Sequence, residues 1–339
     1  MEKKTGLSLY SSTTIRSCIV DGYKLFATNF TSLLKSSWLS AVLFGICCSI
    51  VGLIEVIYLP RAIASEVING MSAQQVIANH QDICILFVVA LVIGGIIEIW
   101  LYSHSVSQLR SFATNATVAK PTKWFSFDKK ATWKTFKAFF FLLIIAFIAM
   151  MAVSICTMIM STISGTTMES APTTTKVFIA IITIIICLVL LPLAATTMGY
   201  LIHDDIGFFK RVLTRYRVAT KHYSQLFSVV LGGVIITIAI MSLLTLPVII
   251  LATANMQANM GNANGDPLNM PSYMPILTGL IFFMFGILKS YLNMSFLYPV
   301  AFVSGQIEKR EMERREADLQ AGINTNGENN SNNCMSTNN

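Results

Sequence analysis

Six long apolar stretches alternate with short polar ones, at about 38–59, 83–103, 138–163, 177–201, 226–252 and 275–301. Crossing a hydrocarbon core of about 30 Å takes roughly 20 helical residues at about 1.5 Å each, and every stretch is long enough. The pattern predicts an all-α polytopic bundle with six transmembrane helices. The polar segments predict its orientation. Of 24 Lys and Arg, the N-terminal segment holds five, residues 104–137 seven, residues 202–225 five and the C-terminal tail four. The alternate loops hold only Arg61 and Lys176, and Lys289 lies inside a span. This 21-to-2 split predicts that both termini are cytoplasmic.

Composition narrows the class further. A hydrophobic share of 54% with only 12% charged residues departs from soluble domains, in which charged residues are about a quarter. The net charge of +7 does not point to nucleic acid. It sits in short segments flanking the spans, where basic residues meet anionic headgroups. The first 37 residues contain no early apolar run, so no cleavable signal peptide is expected. Cys18, Cys47, Cys48, Cys84, Cys156, Cys187 and Cys334 are odd in number and form no C-x-x-C. They read as small apolar residues of a reduced chain.

Four regions are expected. Residues 1–37 form a cytoplasmic segment with an amphipathic interfacial helix: Ile15, Ile19, Tyr23, Phe26, Phe30 and Leu33 recur every three or four positions. Residues 38–303 form the six-helix domain. Residues 304–321 extend the last helix, supported by opposite-charge pairs such as Glu311–Arg315. Residues 322–339, rich in Asn, Gly and Ser, read as disordered. Tyr23-Lys24 with Phe30-x-x-Leu33-Leu34 returns as Tyr216-Arg217 with Tyr223-x-x-Leu226-Phe227, at an offset of 193 residues. The match suggests parallel repeats, 15–103 and 208–296. Residues 124–201 are either a weaker third unit, entered through Trp124, Phe125, Phe127, Trp133 and Phe136 among lysines, or an unrelated central hairpin.

Candidate chemistry is sparse. Glu55, Glu98 and Lys289 are the ionisable groups within spans, and such groups face a bundle interior or a water cavity. Glu55 lies near a span end. Glu98 and Lys289 fall at similar depth and are expected to pair, with Tyr102 and Asn293 nearby. The two groups form a structural lock or a site for a proton or polar substrate, or else snorkel to the surface. Pro192 and Pro247 are expected to kink spans four and five. Arg16, Lys24, Lys129, Lys130, Lys134, Lys210, Arg211, Arg215 and Arg217 are candidates for headgroup contact. Gly94-Gly95, Gly232-Gly233 and Ala90-x-x-x-Gly94 fit close helix contacts. His80, His104, His203 and His222 are never spaced i,i+3 or i,i+4, and His203-Asp204-Asp205 reads as a polar cap, so no metal or other cofactor is expected. No nucleophile elbow, phosphate loop, dinucleotide fingerprint or zinc-protease motif occurs, so nothing supports catalysis.

One family resemblance runs through residues 14–303. Its motifs are Leu191-Pro192-Leu193-Ala194, Asp204-Asp205-Ile206-Gly207-Phe208-Phe209, Tyr216-Arg217, Lys221-His222-Tyr223 and Leu226-Phe227, with Tyr23, Asn29-Phe30 and Leu33-Leu34 near the start. Together they resemble the six-span membrane domain of bacterial glycerophosphoryl diester phosphodiesterases. The catalytic barrel of that family has no counterpart here, so its activity is not implied. The resemblance implies a bacterial cytoplasmic (inner) membrane protein accessory to lipid or envelope processes. The expected function is therefore a non-catalytic scaffold or accessory that binds lipid, with anionic headgroups and a membrane protein as partners. The alternatives are a small transporter built on Glu98 and Lys289, or an intramembrane enzyme.

Overall fold

The computed structural model describes residues 9–10, 14–60, 75, 79–115, 128–164, 173–203, 207–263 and 271–335. Among the described residues lie seven α-helices: α1 Ile15–Leu53, α2 Gln81–Asn115, α3 Lys129–Ser164, α4 Thr173–Ile202, α5 Phe208–Lys221, α6 Tyr223–Ala263 and α7 Met274–Met335. A π-helical turn, Ile54–Tyr58, extends α1. All except α5 are long and apolar enough to span a membrane. No strand occurs among the described residues. The aromatic run 124–127 and the pair Asp204–Asp205 lie outside the described residues.

The frame is α1 packed along the length of α7, with α2 and α6 against them. Glycines let this contact close. A Cβ on Gly22 would stand 2.6 Å from the Pro299 nitrogen, and one on Gly286 would stand 2.7 Å from the Cys48 Cβ. Gly45 and Gly279 face the partner helix in the same way, against Phe283 and Ser49. The glycines singled out from sequence take a smaller part. A Cβ on Gly233 would strike Phe296 at 2.6 Å, but Gly95 faces open space.

The main core lies where the basic loops converge, at what we term the basic end. It includes Cys18, Leu25, Leu109, Met198, Phe208, Tyr298 and Phe302. Among the described residues the opposite end holds a small cluster around Ile57 and Phe282. Half of the most apolar window of α1 is buried, but none of that of α3. Phe140, Leu143, Phe147, Ile148 and Met151 of α3 all face outward. So large an apolar surface needs hydrocarbon as its solvent.

Three features bear on the sequence expectation. First, residues 15–36 are the opening turns of the 39-residue α1, which runs on into the first span. Their buried stripe is Cys18, Gly22, Leu25 and Leu33, largely one residue away from the predicted aromatic face. The close approach to Pro299 puts the smallest residues at the centre of the contact and moves Tyr23 and Phe26 to its flanks. The segment aligned with it at the 193-residue offset is instead divided at His222 into α5 and α6. Second, Pro192 and Pro247 lie inside α4 and α6, and neither ends its helix. Third, α7 runs to Met335, past the boundary at 322, since extending a helix costs far less than starting one. Arg314 and Arg315 both meet the Glu311 carboxylate, at 3.0 and 3.4 Å.

Candidate functional site

Two arrangements are built where the helices converge: a charged knot at the basic end and an apolar cavity beside it. In the knot, α7 supplies Glu308, α5 supplies Arg211, and His203 follows the last turn of α4. Arg211 donates to Glu308 Oε1, and His203 Nε2 lies 2.7 Å from Glu308 Oε2. A carboxylate only accepts, so that nitrogen carries a hydrogen. Tyr10 from the N-terminal segment places its hydroxyl 3.0 Å from the same nitrogen, and Lys134 of α3 donates to the His203 carbonyl at 2.7 Å. The knot thus joins α3, α4, α5, α7 and the N-terminal segment.

Gly199 gives the carboxylate room: a Cβ there would stand 3.2 Å from Glu308 Oε1. Glu308 lies beyond the apolar stretch of α7. Burial alone would raise its carboxyl, but the His203 hydrogen bond and the charges of His203, Arg211 and Arg215 outweigh it and hold the group below the usual carboxylate range. Burial pushes the Tyr10 phenol up to about 12, with the Glu308 charge adding to the effect and Arg211 opposing it. Arg211 is only 5% exposed. It is therefore an internal counter-ion and not the headgroup contact that its sequence position suggested. Lys134, half-buried, is likewise drawn inward.

Pro192 has a structural counterpart that sequence reading missed. Proline lacks the N–H that would bond the carbonyl four residues earlier. That carbonyl, Leu188, accepts the Tyr223 hydroxyl at 3.1 Å, and the neighbouring Val189 carbonyl accepts Tyr216 at 2.6 Å. The two tyrosines of the repeated motif therefore cap the backbone around a proline on another helix. Tyr223→Phe should cost about 1–3 kcal/mol, because it strips a carbonyl in an apolar setting. In a Pro192→Ala background the restored N–H should remove most of that cost. Thermal unfolding of the four proteins in a double-mutant cycle reads this coupling.

The cavity has a volume of about 540 Å³ and lies among α2, α3, α4, α6 and α7. Tyr102, Thr135, Thr197, Thr237 and Asn293 supply its polar atoms, and apolar side chains such as Phe139, Met198 and Phe296 line the rest. Its rim includes Ile238, 59% exposed toward the bilayer. The predicted quartet is only partly assembled. Tyr102 donates to Glu98 Oε1 at 3.0 Å, and Asn293 lines the same cavity as Tyr102. Among the described residues no ion pair joins Glu98 to Lys289. Equal depth on two helices does not fix their rotation.

The other candidates spread along the basic end. Arg16, Lys24, Lys129, Lys130, Lys210 and Arg217 are exposed, and Arg215 is half-buried beside Glu308. Asp128 accepts the Lys130 and Ala131 amides, capping α3, and its other oxygen takes the Ser107 hydroxyl at 3.1 Å. Among the described residues no three His, Cys, Asp or Glu side chains gather as a metal site. No family model, curated protein or solved structure matches the chain. Class rests on the fold: six apolar helices around a thin core define a multi-pass integral membrane protein.

Proposed function

We propose that this protein is a non-catalytic accessory of a bacterial cytoplasmic membrane, with both termini inside, that holds a lipid-like molecule within its bundle. The observation that carries the reading is the 540 Å³ cavity, apolar over most of its wall and open at a rim of lipid-facing residues. Its size falls in the range of about 300–1,000 Å³ that small-molecule pockets occupy. The exposed cations around it suit anionic headgroups at the basic end. The six-span plan suits the family resemblance noted above, which implies no phosphodiesterase chemistry for this chain.

A transporter would route a polar substrate past Glu98 and Lys289. Neither lines the cavity, and the polar atoms present are hydroxyls and one amide. Lipid holding therefore fits the wall better than ion coupling does. Native mass spectrometry of protein released gently from its own membrane tests the reading. Wild type should carry a stoichiometric small molecule or lipid. Ala194→Phe and Val234→Phe, which fill the cavity, should lose it while keeping the melting temperature. Equal retention by all three proteins, or only bulk exchangeable lipid, would overturn the proposal.

A further inference from the structure

Resting on that cavity reading, we infer that the occupant is a neutral single-chain lipid bearing a hydroxyl or carbonyl, held by Thr197. The threonines of this bundle ordinarily satisfy themselves. Thr135 donates to the Ala131 carbonyl at 2.9 Å, Thr183 to Ile179 at 2.9 Å and Thr245 to Met241 at 2.6 Å. Two threonines of the cavity wall, Thr197 and Thr237, do not. The carbonyl four residues before Thr197, that of Leu193, accepts the Thr196 hydroxyl at 3.0 Å. The Thr197 side chain is 5% exposed, lines the cavity, and has no hydrogen-bond partner. A buried hydroxyl without a partner is costly, and a ligand atom in the cavity is the partner the geometry leaves open.

The wall also sets the charge of the ligand. Among the described residues lining the cavity there is no Lys, Arg, His, Asp or Glu. The Glu98 carboxylate accepts the hydroxyl of Tyr102, which lines the cavity. A carboxylate or phosphate in this wall would lack a counter-ion and would feel the Glu98 charge. An ammonium would lack a direct anion. A hydroxyl or carbonyl needs only what Thr197 and Asn293 offer, and the remaining wall takes the hydrocarbon chain. Entry is from the bilayer, past Val234 and Ile238, so the ligand need never leave the apolar phase.

The test uses purified full-length protein in neutral detergent, with three probes of one chain length: oleyl alcohol, oleate and oleylamine. Binding is read by native mass spectrometry and by the shift in melting temperature. The alcohol should bind at least about tenfold more tightly than either charged probe, and Thr197→Val, which keeps shape and removes the hydroxyl, should weaken it about tenfold. Equal binding of all three probes, unchanged by Thr197→Val but lost in Ala194→Phe and Val234→Phe, would overturn the neutral-head assignment and leave the cavity reading standing. Probe binding that neither filling variant reduces would overturn both.

Discussion

Glu308→Ala is expected to destabilise the protein by about 3–5 kcal/mol, the range for breaking a buried ion pair by removing one partner. The size comes from what remains. Arg211 stays 5% exposed with its charge uncompensated, and His203 and Tyr10 lose the carboxylate that orders them. Thermal unfolding in detergent should show a large drop. Lys309→Ala, which breaks the surface pair with Glu313 at 3.6 Å, should cost about 0–1 kcal/mol. Combining Glu308→Leu with Arg211→Met should recover most of the loss, since an apolar pair needs no counter-charge. The acid limb follows from the same group. Its folded pKa lies below the unfolded one, so its contribution is complete above the unfolded value of about 4.3 and fades as pH falls through the folded value. Wild type should lose this stability in acid, and Glu308→Ala should have none of it to lose.

Gly22→Val is expected to be the most damaging substitution along the frame. Its Cβ would meet the nitrogen and Cα of Pro299 at 2.6 and 2.7 Å. These are backbone atoms of a helix, which cannot rotate aside as a side chain can. Overpacking of this kind costs about 1–3 kcal/mol, and the backbone contact puts Gly22 at the upper end. Gly95→Ala is the contrast. Nothing lies within 4 Å of its Cβ position, and the better helix propensity of Ala should stabilise by up to about 1 kcal/mol. Melting temperatures of the two variants, measured side by side, separate a packed glycine from an idle one.

The six spans were legible because apolar length is a one-dimensional property. So was the ion pair of Glu311 with Arg315, which depends only on helical spacing. The α1–α7 contact was not legible. Gly22 and Pro299 are far apart in sequence, and nothing local marks either as a partner. The same applies to Tyr223 and Leu188, whose bond is a tertiary consequence of Pro192. The Glu98 and Lys289 prediction shows how far depth arithmetic reaches. It placed the residues at one level and found Tyr102, but rotation about each helix axis decides who touches whom. The knot at Glu308 was overlooked because the residue was read as part of a solvated, charged tail. A carboxylate close after a span, with an Arg-rich amphipathic helix elsewhere in the chain, was the available signal. The cavity left no signal at all, since its walls are ordinary membrane-helix residues gathered from five helices.

The central claim is that lipid occupies the space among these helices while the protein is in its membrane. A photo-crosslinking side chain placed at Ala194, with a second protein labelled at the outward-facing Phe147, tests it most directly in intact membranes. The account predicts that the Ala194 position captures one defined neutral lipid, and that Val234→Phe abolishes the adduct. The Phe147 position should capture the bulk lipid mixture. A mixture at Ala194 indistinguishable from that at Phe147, or a crosslink from Ala194 to another protein or back to this chain alone, would contradict it.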